Sequence, residues 1–319
     1  MKIEGFFLWG ITAMFLFSAG TPAAAAEVPG TYTVKVGAFQ VSLLSEGQSD
    51  GSGANLIGAD EAMMKKYAPA GTYPTAVNAF LVRTPDRLVL VDAGFGRELF
   101  TNLKKLGVDP EQISAVLLTH MHGDHIGGLL VGDKIAFPKA KLYLARQERD
   151  YWASEEIMKT FPADRQGGFK NAQKTLAAYG DAVQTFDPGD LGAKFLLPGI
   201  AAIAAFGHTP GHTLYRVESE GAKLLIWGDL THAMAVQMPE PQVAMTYDVD
   251  PQMAAASRLA VLKYVAAEKI PVAGMHIPYP GIGNIAPASE EGSDGKSNEK
   301  SDGKSDGKPD GGYKFTPAP

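Results

Sequence analysis

Apolar and polar positions alternate in two early stretches of the chain, and this alternation predicts strand hairpins. Residues 31–46 form two alternating runs separated by Gly37 and Ala38, where the chain is expected to turn. Residues 78–91 form a second such stretch, with a Thr-Pro-Asp-Arg turn at 84–87. The return run 88–91 is apolar at every position, which is typical of a strand buried on both faces.

Helical and strand patterns are interleaved along the rest of the chain. The remaining predicted elements are helices at 98–106, 147–158, 170–179 and 250–268 and strands at 114–118, 141–145, 215–218, 223–227 and 272–275. Asp250 is a suitable N-cap for the last helix, and Pro251 fits its first turn. Hairpins mixed with helices in both halves predict a single α+β domain, a four-layer αββα sandwich, rather than a doubly wound parallel sheet.

The first 26 residues have the features of an export signal. Residues 6–26 carry no charge, the apolar run 6–17 is too short for a comfortable membrane span, and alanines fill positions 23–26. We therefore expect a signal peptide at 1–26 and a mature domain at 27–319. The expected location is periplasmic or secreted, with no membrane contact after signal removal. An uncleaved N-terminal anchor is the alternative.

The segment 289–312 differs in composition from everything before it. It contains no hydrophobic residue and repeats Ser-Asp-Gly-Lys at 293–296, 301–304 and 305–308. Such a segment cannot bury enough apolar surface to offset the entropy lost on ordering. We predict a disordered low-complexity insertion within the domain, followed by a final edge strand.

Composition narrows the possible chemistry. The chain has 319 residues, of which 45% are hydrophobic, and this is enough for a large core. A net charge of -6 and the lack of a basic stripe argue against a nucleic-acid partner. Cysteine is absent, so any metal has to be held by histidines and carboxylates.

The stretch 119–128 reads Thr-His-Met-His-Gly-Asp-His-Ile-Gly-Gly and follows a predicted buried strand. It holds three of the seven histidines within six residues. His120 and His122 are two positions apart at a strand end and can point to the same side. Asp124 and His125, on the following turn, can reach a second metal at the spacing of two-metal hydrolytic sites. Imidazoles and a carboxylate suit zinc and similar metals.

Three more candidate ligands lie at turns or strand ends elsewhere in the chain. His212 lies in a Thr-Pro-Gly-His-Thr turn, Asp229 follows the strand at 223–227, and His276 follows the strand at 272–275. Side chains at strand ends can converge at one edge of a sheet sandwich. His208 is not expected to be a ligand, because a Pro-Gly turn separates it from His212.

In order and context these residues resemble the metal motifs of the metallo-β-lactamase superfamily, with Asp92 at the place of its early aspartate. The chain is further similar to the methyl parathion hydrolase-like group of phosphotriesterases and lactonases. The stretches that carry this similarity are 119–132, 136–138, 207–213, 217–219, 228–230, 235–237, 280–283 and the terminal Gly-Tyr-Lys-Phe. The chain departs from that group at Gly123, at a shorter 94–100 segment, at His232 and in the 289–312 insertion.

The resemblance implies two divalent metal ions, with zinc as the expected element. His120, His122 and His212 would hold one ion and Asp124, His125 and His276 the other. Asp229 would bridge both, together with a hydroxide, and Asp92 would orient one of the ligands. That hydroxide would attack a carbonyl or phosphoryl centre, so no protein nucleophile is needed.

Four side chains are candidates for catalysis or for contact with the substrate. Asp124 and His232 are the expected catalytic residues, with His232 contacting substrate or protonating a leaving group. A packing role for His232 is the alternative. By resemblance, Trp152 and Phe169 would line an apolar substrate pocket; ordinary core positions are the alternative.

These features predict a secreted metal-dependent hydrolase that acts on a small molecule. A lactone or other ester is the expected physiological substrate, and an organophosphate triester is the second possibility. The alternatives are a β-lactamase, a mononuclear-iron persulfide dioxygenase of the same fold and a non-catalytic binding module. Resemblance also suggests a homodimer.

Overall fold

The computed structural model describes residues 30–288 and 312–319. The predicted signal peptide at 1–26 and, apart from Gly312, the predicted insertion at 289–312 lie outside these residues. The strands are β1 (Thr31–Val36), β2 (Phe39–Ser52), β3 (Leu56–Ile57), β4 (Thr72–Arg83), β5 (Leu88–Val91), β6 (Ile113–Leu117), β7 (Leu130–Val131), β8 (Lys134–Ile135), β9 (Lys141–Ala145), β10 (Val183–Phe186), β11 (Phe195–Leu197), β12 (Ile200–Ala204), β13 (Thr213–Ser219), β14 (Ala222–Ile226), β15 (Ala244–Met245), β16 (Val272–Ala273), β17 (Ile282–Pro287) and β18 (Tyr313–Pro317).

Eight α-helices connect and cover these strands within the described residues. They are α1 (Glu61–Tyr67), α2 (Leu99–Lys105), α3 (Gly123–Ile126), α4 (Arg146–Ala153), α5 (Glu155–Thr160), α6 (Gly167–Tyr179), α7 (Met234–Gln237) and α8 (Pro251–Glu268). None of them combines the length and the apolar character that a crossing of the membrane requires.

Two sheets, each of seven strands in the described residues, form the centre of the structure. The first has the order β1-β2-β4-β5-β6-β9-β10, and the second has the order β11-β12-β13-β14-β16-β17-β18. Antiparallel hairpins build one half of the first sheet, whereas β5, β6, β9 and β10 run parallel. In the described residues β18 is an edge strand of the second sheet, as the sequence predicts.

The apolar residues of β5 show how the layers are held together. Val89 and Val91 lie in the core between the two sheets, which also contains Val217 and Ile226 of the second sheet. Leu88 and Leu90 point the other way, into the core beneath the outer helices. The continuously apolar run therefore reflects a strand buried on both faces. The outer face of the second sheet packs on α8. The predicted αββα sandwich is confirmed.

Most element boundaries agree with the sequence pattern, but one predicted helix is wrong. The run 147–158 is divided into α4 and α5 at Ser154, whose backbone is extended (φ -75°, ψ 112°). The Ser154 side chain accepts the backbone N–H of Ile157 and so caps α5. At α8, Asp250 caps the helix by accepting the backbone N–H of Met253, as expected.

Candidate metal centre

Three imidazole nitrogens converge at the edge shared by the two sheets. The Nε2 atom of His120 lies 2.9 Å from Nδ1 of His122, and Nε2 of His208 lies 3.2 Å and 3.0 Å from these atoms. The first two residues follow β6 of the first sheet, whereas His208 follows β12 of the second sheet. Oδ2 of Asp229 completes the group at 3.2 Å from His208 Nε2.

A second group of donors lies on the other side of Asp229. Nε2 of His276 is 3.5 Å from Oδ2 of Asp124, and Nε2 of His125 is 3.6 Å from the same oxygen. Oδ1 of Asp229 is 3.1 Å from His125 Nε2, and its Oδ2 is 3.1 Å from His276 Nε2. Asp229 thus lies between both groups, in the position expected of a shared ligand.

His212 does not join these groups, and this corrects the expectation from the sequence. Its Nδ1 donates to the carbonyl of Ala205 at 2.9 Å, and its Nε2 accepts the backbone N–H of Asp229 at 2.9 Å. Both ring nitrogens are therefore used within the protein. A Cβ on Gly228 would lie 2.5 Å from His212 Nε2, so this glycine permits the close approach. The expectation that His208 is not a ligand was wrong. The Pro-Gly turn does prevent a helix that would align His208 with His212, but the loop after β12 places His208 at the site without such a helix.

Carboxylates and a carbonyl fix the orientation of the converging histidines. Asp92 Oδ2 lies 2.7 Å from Nδ1 of His125, and Asp248 Oδ1 lies 2.7 Å from Nδ1 of His208. Nδ1 of His276 donates to the carbonyl of Ala76 at 2.7 Å. Because Nδ1 of each of these three rings is hydrogen-bonded, Nε2 is directed to the centre of the site. Histidines that bind metals in proteins usually have their other ring nitrogen hydrogen-bonded to a carboxylate or carbonyl in this way.

Asp92 also organises the loop that carries the first ligands. Its carboxylate accepts the backbone N–H and the hydroxyl of Thr119 at 2.8 Å and 2.6 Å. The Thr119 oxygen lies 3.1 Å from Nδ1 of His120. The backbone of Asp92 is left-handed (φ 57°), a conformation that costs energy in a non-glycine residue. This cost is consistent with a residue held in place for its side chain.

The protonation of the site suits a cation only in part. Burial alone would lower the pKa of His125 and His276, but the charge of Asp229 and neighbouring carboxylates raises the pKa of both rings above the ordinary value, and a cation would have to displace those protons. Burial lowers the pKa of His122 to about 3 and that of His120 well below its usual range, so both rings are neutral at pH 7. Burial alone would raise the pKa of Asp229. The surrounding histidines, of which His125 has the largest effect, instead hold the pKa of this carboxyl well below its usual range. Burial lowers the pKa of His208, yet its bonds to Asp229 and Asp248 raise it to about 9. A cation would have to displace that proton.

Two buried atoms at the centre have no hydrogen-bond partner among the described residues. They are Nε2 of His125 and Oδ1 of Asp229, which face each other at 3.1 Å. A buried polar atom without a partner costs about 1–3 kcal/mol. Imidazole and carboxylate donors are the set that zinc and similar divalent ions accept. The residues present therefore fit a bound metal.

The two groups open into a cavity of about 430 Å³. Its wall is formed by His122, Gly123, Asp124, Asp229, His232, Tyr247 and His276. His232 lies with Nε2 at 3.0 Å from Asp229 Oδ2, and its buried Nδ1 has no hydrogen-bond partner in the part of the chain that the structure describes. Asp229, His232 and His276 also form a third set of donors close enough to hold an ion. His232 thus lines the cavity beside the shared aspartate.

Trp152 and Phe169 lie in the core rather than in the cavity wall. They are 5% and 3% exposed and pack with the helices over the first sheet. The Trp152 ring contacts the ring of His122 edge-on, with centroids 5.4 Å apart. The interpretation as ordinary core residues is therefore the correct one, with Trp152 supporting a residue of the site from behind.

Tyr247 and Asp248 were missed by sequence reasoning, together with His208. A signal for His208 existed, since residues 200–204 form a strand and a histidine shortly after it is placed like the other candidates. Asp248 lies 40 residues from His208, and only tertiary contact reveals the pair.

The fold and this donor set define a known class of protein. Residues 72–268 match the family model for the metallo-beta-lactamase superfamily, which covers more than half of the chain. The chain belongs to this superfamily.

Particular relatives are found among solved structures and curated proteins. The hydrolase AbOPH of the beta lactamase superfamily is 28% identical, with a TM-score of 0.77 over 92% of this chain and 98% of AbOPH. The dizinc quorum-quenching lactonase AidC, solved with the product N-hexanoyl-L-homoserine, is 26% identical, with a TM-score of 0.76 over 91% of this chain and 98% of AidC. Ribonuclease TTHA0252 of Thermus thermophilus is 26% identical over 178 residues, which are 54% of this chain and 39% of the ribonuclease. The chain thus matches less than half the length of that ribonuclease.

Proposed function

We propose that this chain is a hydrolase with two metal ions that cleaves a lactone or a related ester. The observation that carries the proposal is the pair of donor groups that share Asp229 and open into one cavity. His120, His122 and His208 would hold one ion, and Asp124, His125 and His276 would hold the other. This assignment replaces His212 by His208.

Zinc is the metal that we propose, because the donors are imidazoles and carboxylates and because the similar lactonase AidC is a dizinc protein. When bound, two such ions would lower the pKa of a coordinated water to about 7 and polarise the oxygen of the scissile group.

The cavity side chains have distinct proposed roles. Asp229 would be a ligand of both ions, since its Oδ2 lies 3.2 Å from His208 Nε2 in one group and 3.1 Å from His276 Nε2 in the other. Asp124 is partly exposed at the cavity and would act both as a ligand and in the reaction. His232 would hold the substrate oxygen by donating a hydrogen bond, since burial chiefly lowers its pKa to about 4 and leaves the ring neutral at pH 7. A neutral ring carries no imidazolium proton, which disfavours the alternative in which His232 protonates the leaving group.

The likeness to AidC supports a lactone as the substrate class. A phosphotriester is the second possibility, and a β-lactam, the substrate of β-lactamases of the same fold, is a further alternative.

The presence of two donor groups favours a two-metal hydrolase over a mononuclear-iron dioxygenase. A net charge of -6 disfavours the RNA substrate that the ribonuclease relative would suggest. Export of the chain and a homodimeric state stay predictions.

The test is a paired measurement of kcat/KM on the zinc-reconstituted protein. An acyl-homoserine lactone and an aryl phosphotriester are compared, with a β-lactam as a third substrate. We expect a lactone preference above about 100-fold, or roughly 2.7 kcal/mol of transition-state discrimination. The reverse preference would identify a phosphotriesterase, and turnover of the β-lactam alone would overturn the proposal.

A further inference from the structure

Glu148 in α4 is a buried carboxylate that accepts four hydrogen bonds and forms no salt bridge with the described residues. Its side chain is 0% exposed. Oε1 accepts from the backbone N–H of Met121 at 3.0 Å and from Nε1 of Trp152 at 2.6 Å. Oε2 accepts from the hydroxyl of Thr209 at 2.7 Å and from the backbone N–H of Gly211 at 2.9 Å. A charge removed from water in this way is costly unless each of its lone pairs is used.

The first oxygen holds the loop that carries His120 and His122. Met121, whose N–H is bound, lies between these two histidines in the chain. Trp152 donates to the same oxygen while its ring packs edge-on against the ring of His122. His120, His122 and His208 are called the three-histidine group below. Both contacts therefore act on the side of this group that comes from the first sheet.

The second oxygen holds the loop that carries His208. Thr209 directly follows this histidine, and Gly211 lies two positions further along the chain. A Cβ on Gly211 would lie 2.3 Å from the backbone nitrogen of Glu148, so only glycine permits this approach. This loop comes from the second sheet, so the one carboxylate joins loops from opposite sheets.

We propose that Glu148 is a positioning residue that sets the distance between His208 and the His120–His122 loop, and thereby the metal affinity of the three-histidine group. The inference rests on the proposed two-metal function. The second group has separate supports, because His125 is held by Asp92 and His276 by the carbonyl of Ala76. Loss of Glu148 is therefore expected to weaken one metal position and spare the other.

The substitution Glu148→Gln is expected to weaken the hydrogen bonds to one of the two loops and to keep those to the other. All four partners of Glu148 donate, and an amide nitrogen can only donate. Facing Met121 and Trp152, the amide NH2 would oppose two N–H donors. It is therefore expected to face Thr209, whose hydroxyl can rotate to accept, and Gly211, whose hydrogen bond is lost. The loop that carries His208 loosens, while the other loop keeps its acceptor.

The experiment titrates the metal-depleted full-length chain with Co²⁺ and follows its ligand-field absorption and stoichiometry. In Glu148→Gln we expect one Co²⁺ equivalent to bind as in the parent and the other about 10- to 100-fold more weakly. Thr209→Val, which removes one donor with little change in shape, should weaken the same equivalent by less. This second variant keeps the test valid if Glu148→Gln folds poorly.

Two controls separate positioning from a general loss of structure. Glu46→Gln removes a carboxylate that accepts three backbone N–H groups at the start of α2, and it should leave both Co²⁺ equivalents unchanged. In a His208→Ala background, where only the second group remains complete, adding Glu148→Gln should cause no further loss of Co²⁺ affinity.

The outcomes are distinct. Selective weakening of one equivalent in Glu148→Gln, absent from the Glu46→Gln control, supports the inference. Two unchanged equivalents in a folded Glu148→Gln chain, or equal weakening of both, overturn it while leaving the proposed function intact. A parent chain that takes up no Co²⁺ overturns the proposed function and this inference with it.

Discussion

His208 and His212 are separated by only three residues in one loop, yet they meet different partners. Nε2 of His208 points to His120 and His122, whereas both ring nitrogens of His212 bond to protein groups. The first arrangement suits the proposed role of a metal ligand. The second supports the backbone of Asp229, so that His212 acts on the site through another residue.

Substituting each histidine in turn should therefore give different results. We expect His208→Ala to bind one metal equivalent fewer than the parent. His212→Gln can keep an acceptor for the Asp229 N–H, so it should retain both equivalents while losing stability. Metal content of the purified variants, measured by elemental analysis, distinguishes the two. Loss of an equivalent in His212→Gln alone would restore the assignment made from the sequence.

Asp248 is the carboxylate behind His208. It accepts the backbone N–H of Met245 at 2.8 Å and lies 2.7 Å from the ring of His208. In Asp248→Asn, one of these partners faces an amide NH2 group, so the orientation of the ring is less well held. Metal affinity is expected to fall about 10- to 100-fold in competition with a chromogenic chelator. An unchanged affinity would mean that the metal alone orients His208.

Much of the site could be predicted from the order of residues along the chain. The choice between His208 and His212 was predicted wrongly, and Glu148 and Asp248 were not predicted at all. Clustered histidines after β6 and single ligands after β14 and β16 follow from strand ends that converge at one edge. The choice between two histidines of one loop depends on how that loop turns, and strand patterns do not encode this. Glu148 and Asp248 could not be predicted, because their partners lie far away in the chain.

At the scale of elements, α8 supports the loops that surround the cavity. Its buried Arg258 donates to the carbonyls of Leu230, Pro241 and Val243, at 2.7, 2.7 and 2.8 Å. Leu230 directly follows Asp229, so the helix is linked to the strand end that carries the shared aspartate.

Arg258→Met should leave these three carbonyls without their donor. We expect the free energy of unfolding of the metal-depleted protein to fall by about 3 kcal/mol, as measured by urea denaturation. Lys263→Met on the exposed face of the same helix is the matched control, with an expected change within about 0.5 kcal/mol. Equal effects of the two substitutions would rule out a special role for Arg258.

Two features of the fold were not predicted from the sequence pattern, and each failure has a physical reason. The strand β12 is rich in alanine, which is depleted in strands and gives little periodic signal. The break between α4 and α5 depends on one serine that bonds to the backbone. Hairpins around β1, β2, β4 and β5 were predictable because turn residues and alternation agree there.

At the scale of the molecule, the candidate metal centre joins the two sheets. His120 and His125 follow a strand of the first sheet, whereas His208, Asp229 and His276 follow strands of the second. Bound ions would thus link both halves of the sandwich and bind only the folded chain.

Removal of metal should therefore lower thermal stability. A ligand present at 100 times its Kd stabilises the fold by about 2.7 kcal/mol, so we expect Tm to fall by at least about 5 °C in a chelator and to recover with Zn²⁺. Calorimetry with and without chelator measures this. An unchanged Tm would contradict a structural link through metal ions.

The most direct test of the two-metal centre is the anomalous diffraction of zinc-loaded crystals at the zinc edge. Two peaks are predicted, one among His120, His122 and His208 and the other among Asp124, His125 and His276, with Asp229 between them. A single peak, no peak, or a peak at His212 in place of His208 would contradict the account.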